Sequence, residues 1–557
     1  MKHLFCKRQR ERQRDTVKRK LMGDVSCILE EAGRSKLEHA IWVPPSQSSA
    51  RLNISIVSRP PILESPVPAA VPGKTGIVVA NIQGCYDVGM VVDDEEQELG
   101  HNNHQKKLNP DDCLPITESR NGNAFYSAFH CLNSGIGFQA LLLPRAFTVL
   151  GWTWGIISLS LAFVWQLYTV WLLTQLHESV TGTRYNRYIQ LAKAAFGQKR
   201  GKLMALFPIM YLSGGTCVAL ITLGGKTMKL FFLIVCGETS HAKPLTTVEW
   251  FLVFVVCAIV LAQLPNLNSI AGISLVGAIT AITYCTMILV ISIAHGRVAS
   301  ASYGPLQPYK SPTSKAFSIL NAFGIICFAF RGHNLVLEIQ ATMPSTPTHS
   351  AKVPMWKGVK FAYLLIAVCF YPLAIGGYWA YGNLVPQKYG MLSALFKYHG
   401  NKSSRVVLGL TSMLVVINCL SSFQIYAMPV FDNLEFAYIS RKNKPCPRWL
   451  RRGFRAGFGC LAFFIAVALP VLTSLAGLLG GIALPITLAY PCFMWIVMKK
   501  PKRYTTMWII NWGLGILGMA LSFLVIAGAV WSIVDKGITA NFFKPSREET
   551  FFAIREG

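Results

Sequence analysis

Two otherwise apolar stretches are each interrupted by a short segment of small and polar residues, Asn133-Ser134-Gly135-Ile136-Gly137 and Phe330-Arg331-Gly332-His333-Asn334. Unwound backbone at such points leaves amide N–H groups and carbonyls free to bind a ligand. N–H groups around Gly135, Ile136 and Gly137 would take an anionic group such as a carboxylate, at the favourable end of the following half-helix's dipole. Carbonyls at the second interruption, with Asn334, would accept from an ammonium. Phe138 and Phe330 could wall such a pocket, or pack as ordinary core. Small residues also serve close helix packing, so the glycines alone leave both uses open.

Charge is scarce around these segments. After residue 122 the chain has ten carboxylates, and only Glu338 stands clearly inside an apolar stretch. Burial disfavours its charged form, whereas Arg331 nearby would favour it. Their spacing of seven puts them on about the same helical face only if the helix is continuous. Glu338 is the leading candidate to carry a coupling proton, with a gate or structural pairing as the alternative. His333 and His130 are weaker candidates, since neutral histidines packed between helices are common. Arg331 is costly at membrane depth and needs a reason: it could bind a substrate carboxylate, stand in the place of a coupling cation, or pair with Glu338 or a carbonyl. Asn418, Ser421 and Ser422 add polar groups to a later stretch, where interhelical hydrogen bonding is the plainer use and ion binding the rarer one. The 15 cysteines are spread singly, with no metal-ligand spacing. No phosphate loop or nucleophile constellation appears, so an enzyme and a bound cofactor are not expected.

The elements that must hold these residues are membrane helices. Of 557 residues, 52% are hydrophobic and 14% charged, against about 25% charged in soluble domains. Eleven apolar stretches are each long enough to cross a hydrocarbon core of roughly 30 Å. They cover 124–149, 151–177, 203–235, 249–265, 269–294, 316–341, 358–382, 406–430, 454–474, 477–498 and 507–534. Residues 1–122 carry 17 basic and 16 acidic residues with many prolines, and read as a disordered tail. The net +27 therefore lies almost wholly in the apolar part. One set of alternate loops holds twenty Lys and Arg, the other eight, which places the N-terminus in the cytoplasm and the C-terminal tail, 536–557, outside. The +27 is a topology signal, and nucleic acid is not an expected partner. The sequon Asn401-Lys402-Ser403 falls in an outer loop and could carry a glycan.

The two interruptions are five spans apart. That is the pattern of an inverted-repeat transporter whose substrate sits at the midplane. The fold class is thus all-α and polytopic: eleven helices, five plus five in inverted repeat and one more, with the first and sixth broken.

The run from Ala329 to Pro347, AFRGHNLVLEIQATMPSTP, together with Tyr126-Ser127-Ala128-Phe129-His130, Leu264-Pro265-Asn266-Leu267-Asn268-Ser269-Ile270 and Gln424-Ile425-Tyr426-Ala427-Met428-Pro429-Val430-Phe431-Asp432, resembles the plant lysine/histidine transporters of the amino acid/auxin permease superfamily. The resemblance covers roughly residues 120–545 and implies a LeuT-like core and uptake of amino acids, neutral or cationic, coupled to protons across the plasma membrane. Two positions depart from the family pattern: Gln139 follows Gly137-Phe138 where Gly-x-Gly is usual, and Arg331 precedes Gly332 where a small residue is usual. A membrane sensor with the same pocket and little flux is the alternative function.

Overall fold

The computed structural model describes residues 114, 120–180, 182–236, 245–264, 267–304, 311–346, 348–387, 389–468 and 476–536, all within the unit Ile82–Gly557. Most of the predicted N-terminal tail, and the C-terminal tail beyond 536, lie outside the described residues.

The described chain is a bundle of helices. The first interrupted stretch is helix α1 (Ala124–Gly135), a break, a single 3-10 turn (Ala140–Leu142), and the start of α2 (Leu143–Leu176). Gly151, at φ 72°, kinks α2 and separates the end of the first stretch from the second. After a short helix α3 (Tyr188–Phe196) come α4 (Gln198–Cys236), α5 (Thr247–Ala262) and α6 (Leu267–Ala294). The second interrupted stretch is α7 (Pro312–Ala329) and α8 (His333–Ala341). Then follow α9 (Lys352–Tyr381), the small α10 (Gly390–Ala394), α11 (Arg405–Lys442), α12 (Arg448–Ala468), α13 (Ala476–Leu484), α14 (Tyr490–Lys499) and α15 (Thr506–Lys536). A π turn over Pro485–Ala489 joins α13 to α14.

Local signals explain many of the starts. The side chains of Asn123, Thr246 and Ser311 each accept from a backbone N–H three residues on, and Glu249 returns the bond to Thr246. Helix is what an apolar chain must form in lipid, because it satisfies every backbone group internally. Eight helical segments among the described residues are long and apolar enough to cross a membrane; α5, at 16 residues, is apolar but shorter. Phe125, Trp154, Leu161, Leu203, Phe207, Val260, Leu364 and Phe523 point outward, as a lipid-facing surface requires.

Inside, α11 packs on α4 and α6, α9 on α1 and α2, and α13 on α7 and α15. One close approach is at Gly277 of α6: a β-carbon there would lie 2.2 Å from Ser421 Oγ and 2.4 Å from Asn133 Oδ1. Only glycine lets α6 reach α1 and α11 at that level.

Three boundaries differ from the sequence reading. The first break is Ile136–Gln139, not Asn133–Gly137, because α1 runs on through Gly135. The second break is Phe330–Gly332, and His333 and Asn334 already belong to α8. Helix α11 extends a dozen residues beyond the expected end at 430, carrying Asp432 and Glu435 with it. Its apolar run ends earlier than its hydrogen bonding, so hydropathy marked only the lipid-crossing part.

Candidate functional site

The two breaks meet. Gly332 adopts φ +128°, a conformation side chains resist, and a β-carbon on it would stand 3.3 Å from Ser134 Oγ. A small cavity at this junction is lined by Ser134, Gly135, Arg331, Gly332, Phe330 and Tyr363, among others, with room for about one water. The cavity is too small to hold an amino acid in this structure.

The exposed backbone groups of the first break are partly capped. Tyr426 OH donates to the Ser134 carbonyl at 2.6 Å, and Gln139 Nε2 donates to the Gly135 carbonyl at 2.7 Å. Ile136 N–H is spent on the Leu132 carbonyl. The N–H groups of Gly137, Phe138 and Gln139 have no backbone partner among the described residues, so the donors lie two residues later than the sequence reading placed them.

Arg331 is the pivotal side chain. It is 3% exposed and its guanidinium carbon lies 4.6 Å from the Tyr426 ring centre and 4.9 Å from those of Phe138 and Phe328. Nη1 donates to Thr216 Oγ1 at 3.3 Å, while buried Nε has no acceptor. Among the described residues Arg331 makes no ion pair. The suggested pairing with Glu338 does not form: Gly332 breaks the helix between them, and the charges beside Glu338 are those of Asp432 and Arg187. Stacking on three rings is worth a few kcal/mol at most, well short of what an uncompensated buried charge costs. Its charge therefore has no anionic counterpart among the described residues.

The other predicted residues are placed as follows. Phe330 lines the cavity and packs on Phe163 and Phe370; Phe138 lies under Arg331 instead. His333 Nε2 is 3.0 Å from Thr169 Oγ1 and 3.2 Å from the Gln166 carbonyl, which requires a proton on Nε2 and leaves Nδ1 buried without a partner. Asn334 Nδ2 donates to Ser213 at 3.3 Å, and its Oδ1 is unpartnered. His130 is held 2.8 Å from Ser274 Oγ, away from the break. Asn133 donates to Ser421 at 2.7 Å and accepts from Ser422 at 3.1 Å, while Asn418 donates to the Gly277 carbonyl at 2.9 Å. These α11 groups therefore tie α1, α6 and α11 together, which is the plainer of their two expected uses. Asn401 is exposed on a 3-10 turn.

Sequence reasoning missed a second charged centre. Glu338, Asp432 and Glu435 are all buried, so Glu338 is not the lone carboxylate that hydropathy suggested. Arg187, at the start of α3, bonds Asp432; Arg451 and Arg455 of α12 lie 3.0 and 3.8 Å from Glu435. Arg455 also donates to the carbonyls of Ala262 and Leu264, finishing α5. Glu338 Oε2 is buried with no hydrogen-bond partner among the described residues. The signal was available in the length of α11 and in the basic cluster around residue 450, which look like a solvated loop until the helices are assembled. Nearby, outside the spans, Glu178 meets Arg184 at 3.4 Å and accepts from Ser350. No group of three or more His, Cys, Asp or Glu able to hold a metal occurs among the described residues.

The comparisons with known proteins agree with this architecture. Residues 120–534 match the family model described as transmembrane amino acid transporter protein. The chain is 60% identical to lysine histidine transporter-like 8 of Arabidopsis thaliana, over 81% of this chain and 86% of that protein. It is 44% identical to lysine histidine transporter-like 7 of the same plant, over 78% and 89%. Among solved structures, a nucleobase-cation-symport-1 family transporter in a closed conformation superposes with TM-score 0.50 at 13% identity, covering 77% of this chain and 96% of that one. The last likeness is of fold alone. An amino acid transporter, not an enzyme, is what the close relatives and the family model establish: the chain belongs to the transmembrane amino acid transporter family, beside the lysine histidine transporter-like proteins.

Proposed function

We propose that the chain is a secondary active transporter, a proton-coupled amino acid symporter working by alternating access around the two breaks. The observation that carries this is Arg331, a buried cation without an anionic partner among the described residues, beside unwound backbone at a small cavity. The carboxylate of an amino acid supplies the missing charge, with the N–H groups of Gly137 and Phe138 as further donors. The carbonyls of the breaks and Asn334 Oδ1 accept from the ammonium.

Glu338, buried beside the Arg187–Asp432 pair, is the proton carrier in this reading, and His333 a second one. One proton crossing about 100 mV yields roughly 2.3 kcal/mol, and about one pH unit adds 1.4 kcal/mol. Together they sustain roughly 500-fold accumulation of a neutral substrate.

Eleven spans, arranged as five plus five and one, with a cytoplasmic N-terminal tail and an outer C-terminus, complete the reading. Its support is the one-sided clustering of basic loops. Those loops meet at one end: Arg184 donates to the Met343 carbonyl and Arg187 pairs with Asp432. At the other end Ser302 meets Asn383 and His295 meets Ser403. The plasma membrane is the proposed site, with a glycan on Asn401.

The test is labelled uptake of a panel of neutral, cationic and acidic amino acids by purified protein in proteoliposomes. Concentrative uptake that disappears with a protonophore is expected; binding without any uptake would favour a sensor.

A further inference from the structure

Gln139 is fully buried within the first break, and its carboxamide folds back across it. Nε2 holds the Gly135 carbonyl at 2.7 Å. Oε1 is buried with no donor among the described residues. A β-carbon placed on Gly137 would lie 2.8 Å from that oxygen and 3.5 Å from Arg331 Nη2, so both atoms face the space over Gly137. Gly135, whose carbonyl this amide holds, and Arg331 both line the cavity.

A carboxamide presents an N–H donor and an oxygen acceptor side by side. An amino acid head group does the same with its ammonium and carboxylate. We propose that the Gln139 carboxamide is an internal occupant of the head-group position, which a substrate amino acid must displace, so that Gln139 sets the affinity of the site. Nε2 takes the carbonyl that the ammonium would use, and Oε1 takes the place of a carboxylate oxygen opposite Arg331. This inference rests on the reading of the chain as an amino acid transporter.

The fit is imperfect in the direction the idea requires. A neutral amide gives Arg331 no charge to pair with, and both Gln139 Oε1 and Arg331 Nε remain unsatisfied. The carboxylate of a substrate in the amide's place gives Arg331 the charge it lacks. A capping role at the end of α1 explains the Nε2 bond, but it gives no reason to aim a buried acceptor at the space before a buried cation.

Removing the amide therefore strengthens binding, whereas removing a structural cap weakens it. The experiment measures labelled alanine and leucine binding, and uptake KM, for the wild type, Gln139→Ala and Gln139→Glu in the full chain. For Gln139→Ala, Kd and KM fall about fivefold, the equivalent of one typical hydrogen bond. For Gln139→Glu, a tethered carboxylate neutralises Arg331 and KM rises at least about tenfold. If Gln139→Ala does not fold, Gln139→Met keeps the length without the amide and carries the same expectation. Folded Gln139→Ala or Gln139→Met with unchanged or weaker binding would overturn the proposal while leaving the transporter reading intact. Absence of amino acid binding and uptake in all the proteins would overturn both.

Discussion

Arg187 and Asp432, 245 residues apart in the chain, form a buried ion pair in which Nη2 donates to Oδ1 at 3.4 Å and Nε to Oδ2. Each side chain is 2% exposed, and the pair joins α3 to α11 directly beside Glu338. Asp432→Asn leaves a buried guanidinium without its carboxylate, which costs about 3–5 kcal/mol. A clear drop in the thermal midpoint of the detergent-purified protein is expected. A midpoint equal to the wild type would show that the pair contributes nothing to this closed arrangement.

Glu338 tests the coupling. Glu338→Gln keeps the shape and removes the titrating proton, so proton-driven accumulation is lost while exchange of labelled for unlabelled amino acid survives. Normal concentrative uptake by this variant would eliminate Glu338 as the proton carrier.

Arg331→Ala removes the only charged group that lines the cavity among the described residues. If the guanidinium holds the substrate carboxylate, KM for amino acids rises by about one to two powers of ten, in keeping with a charged hydrogen bond worth 1.5–3 kcal/mol. Discrimination against the corresponding amino alcohols, which lack the carboxylate, falls at the same time. Unchanged preference across both sets would remove Arg331 from the head-group site.

The polar end beyond α2 gives a pH dependence. Burial lowers the pKa of His177 from 6.5 to about 4, opposed by neighbouring Glu178. A base with a depressed folded pKa binds protons better when unfolded, so its contribution is complete above 6.5 and is lost as pH falls towards 4. The loss is up to about 3 kcal/mol. Glu178 acts next: burial raises its pKa, but the Ser350 hydroxyl it accepts from and the His177 ring 3.8 Å away outweigh this and bring it to about 2. Its contribution is present above the usual carboxylate pKa and is lost on further acidification. The thermal midpoint should fall from pH 6.5 to 4, and His177→Gln should flatten that part of the curve. An unaltered slope would contradict the assignment.

The Asn133 bonds to Ser421 and Ser422 are interhelical bonds of a kind that average about 0.6 kcal/mol in membranes. Ser421→Ala with Ser422→Ala should lower the thermal midpoint slightly and leave ion dependence unchanged. A new or lost requirement for a specific cation would show that these hydroxyls bind an ion.

Long apolar periods and two interruptions made most of the helices and the position of the site legible in the sequence. The spacing of small and polar residues locates the two breaks to within a few residues, but not their conformations. Asn133 and Ser134 look like helix breakers, yet α11 supplies hydrogen-bond partners, through Ser421, Ser422 and Tyr426, that keep α1 helical to Gly135. Asp432 and Glu435 look like the start of a loop, because the basic residues that allow them to be buried stand on α3 and α12. Arg331 and Glu338 invite pairing by their spacing, and the positive φ of Gly332 turns them apart. In the first two cases the missing information lay in partners distant in sequence, and in the third in the backbone conformation of a neighbouring glycine.

Proton-coupled amino acid entry is tested most directly by the membrane current of cells expressing the full chain when amino acids are added outside. An inward current that grows as the outside is acidified, without a need for sodium, is the predicted result. Labelled uptake with no current and no response to the proton gradient would contradict it.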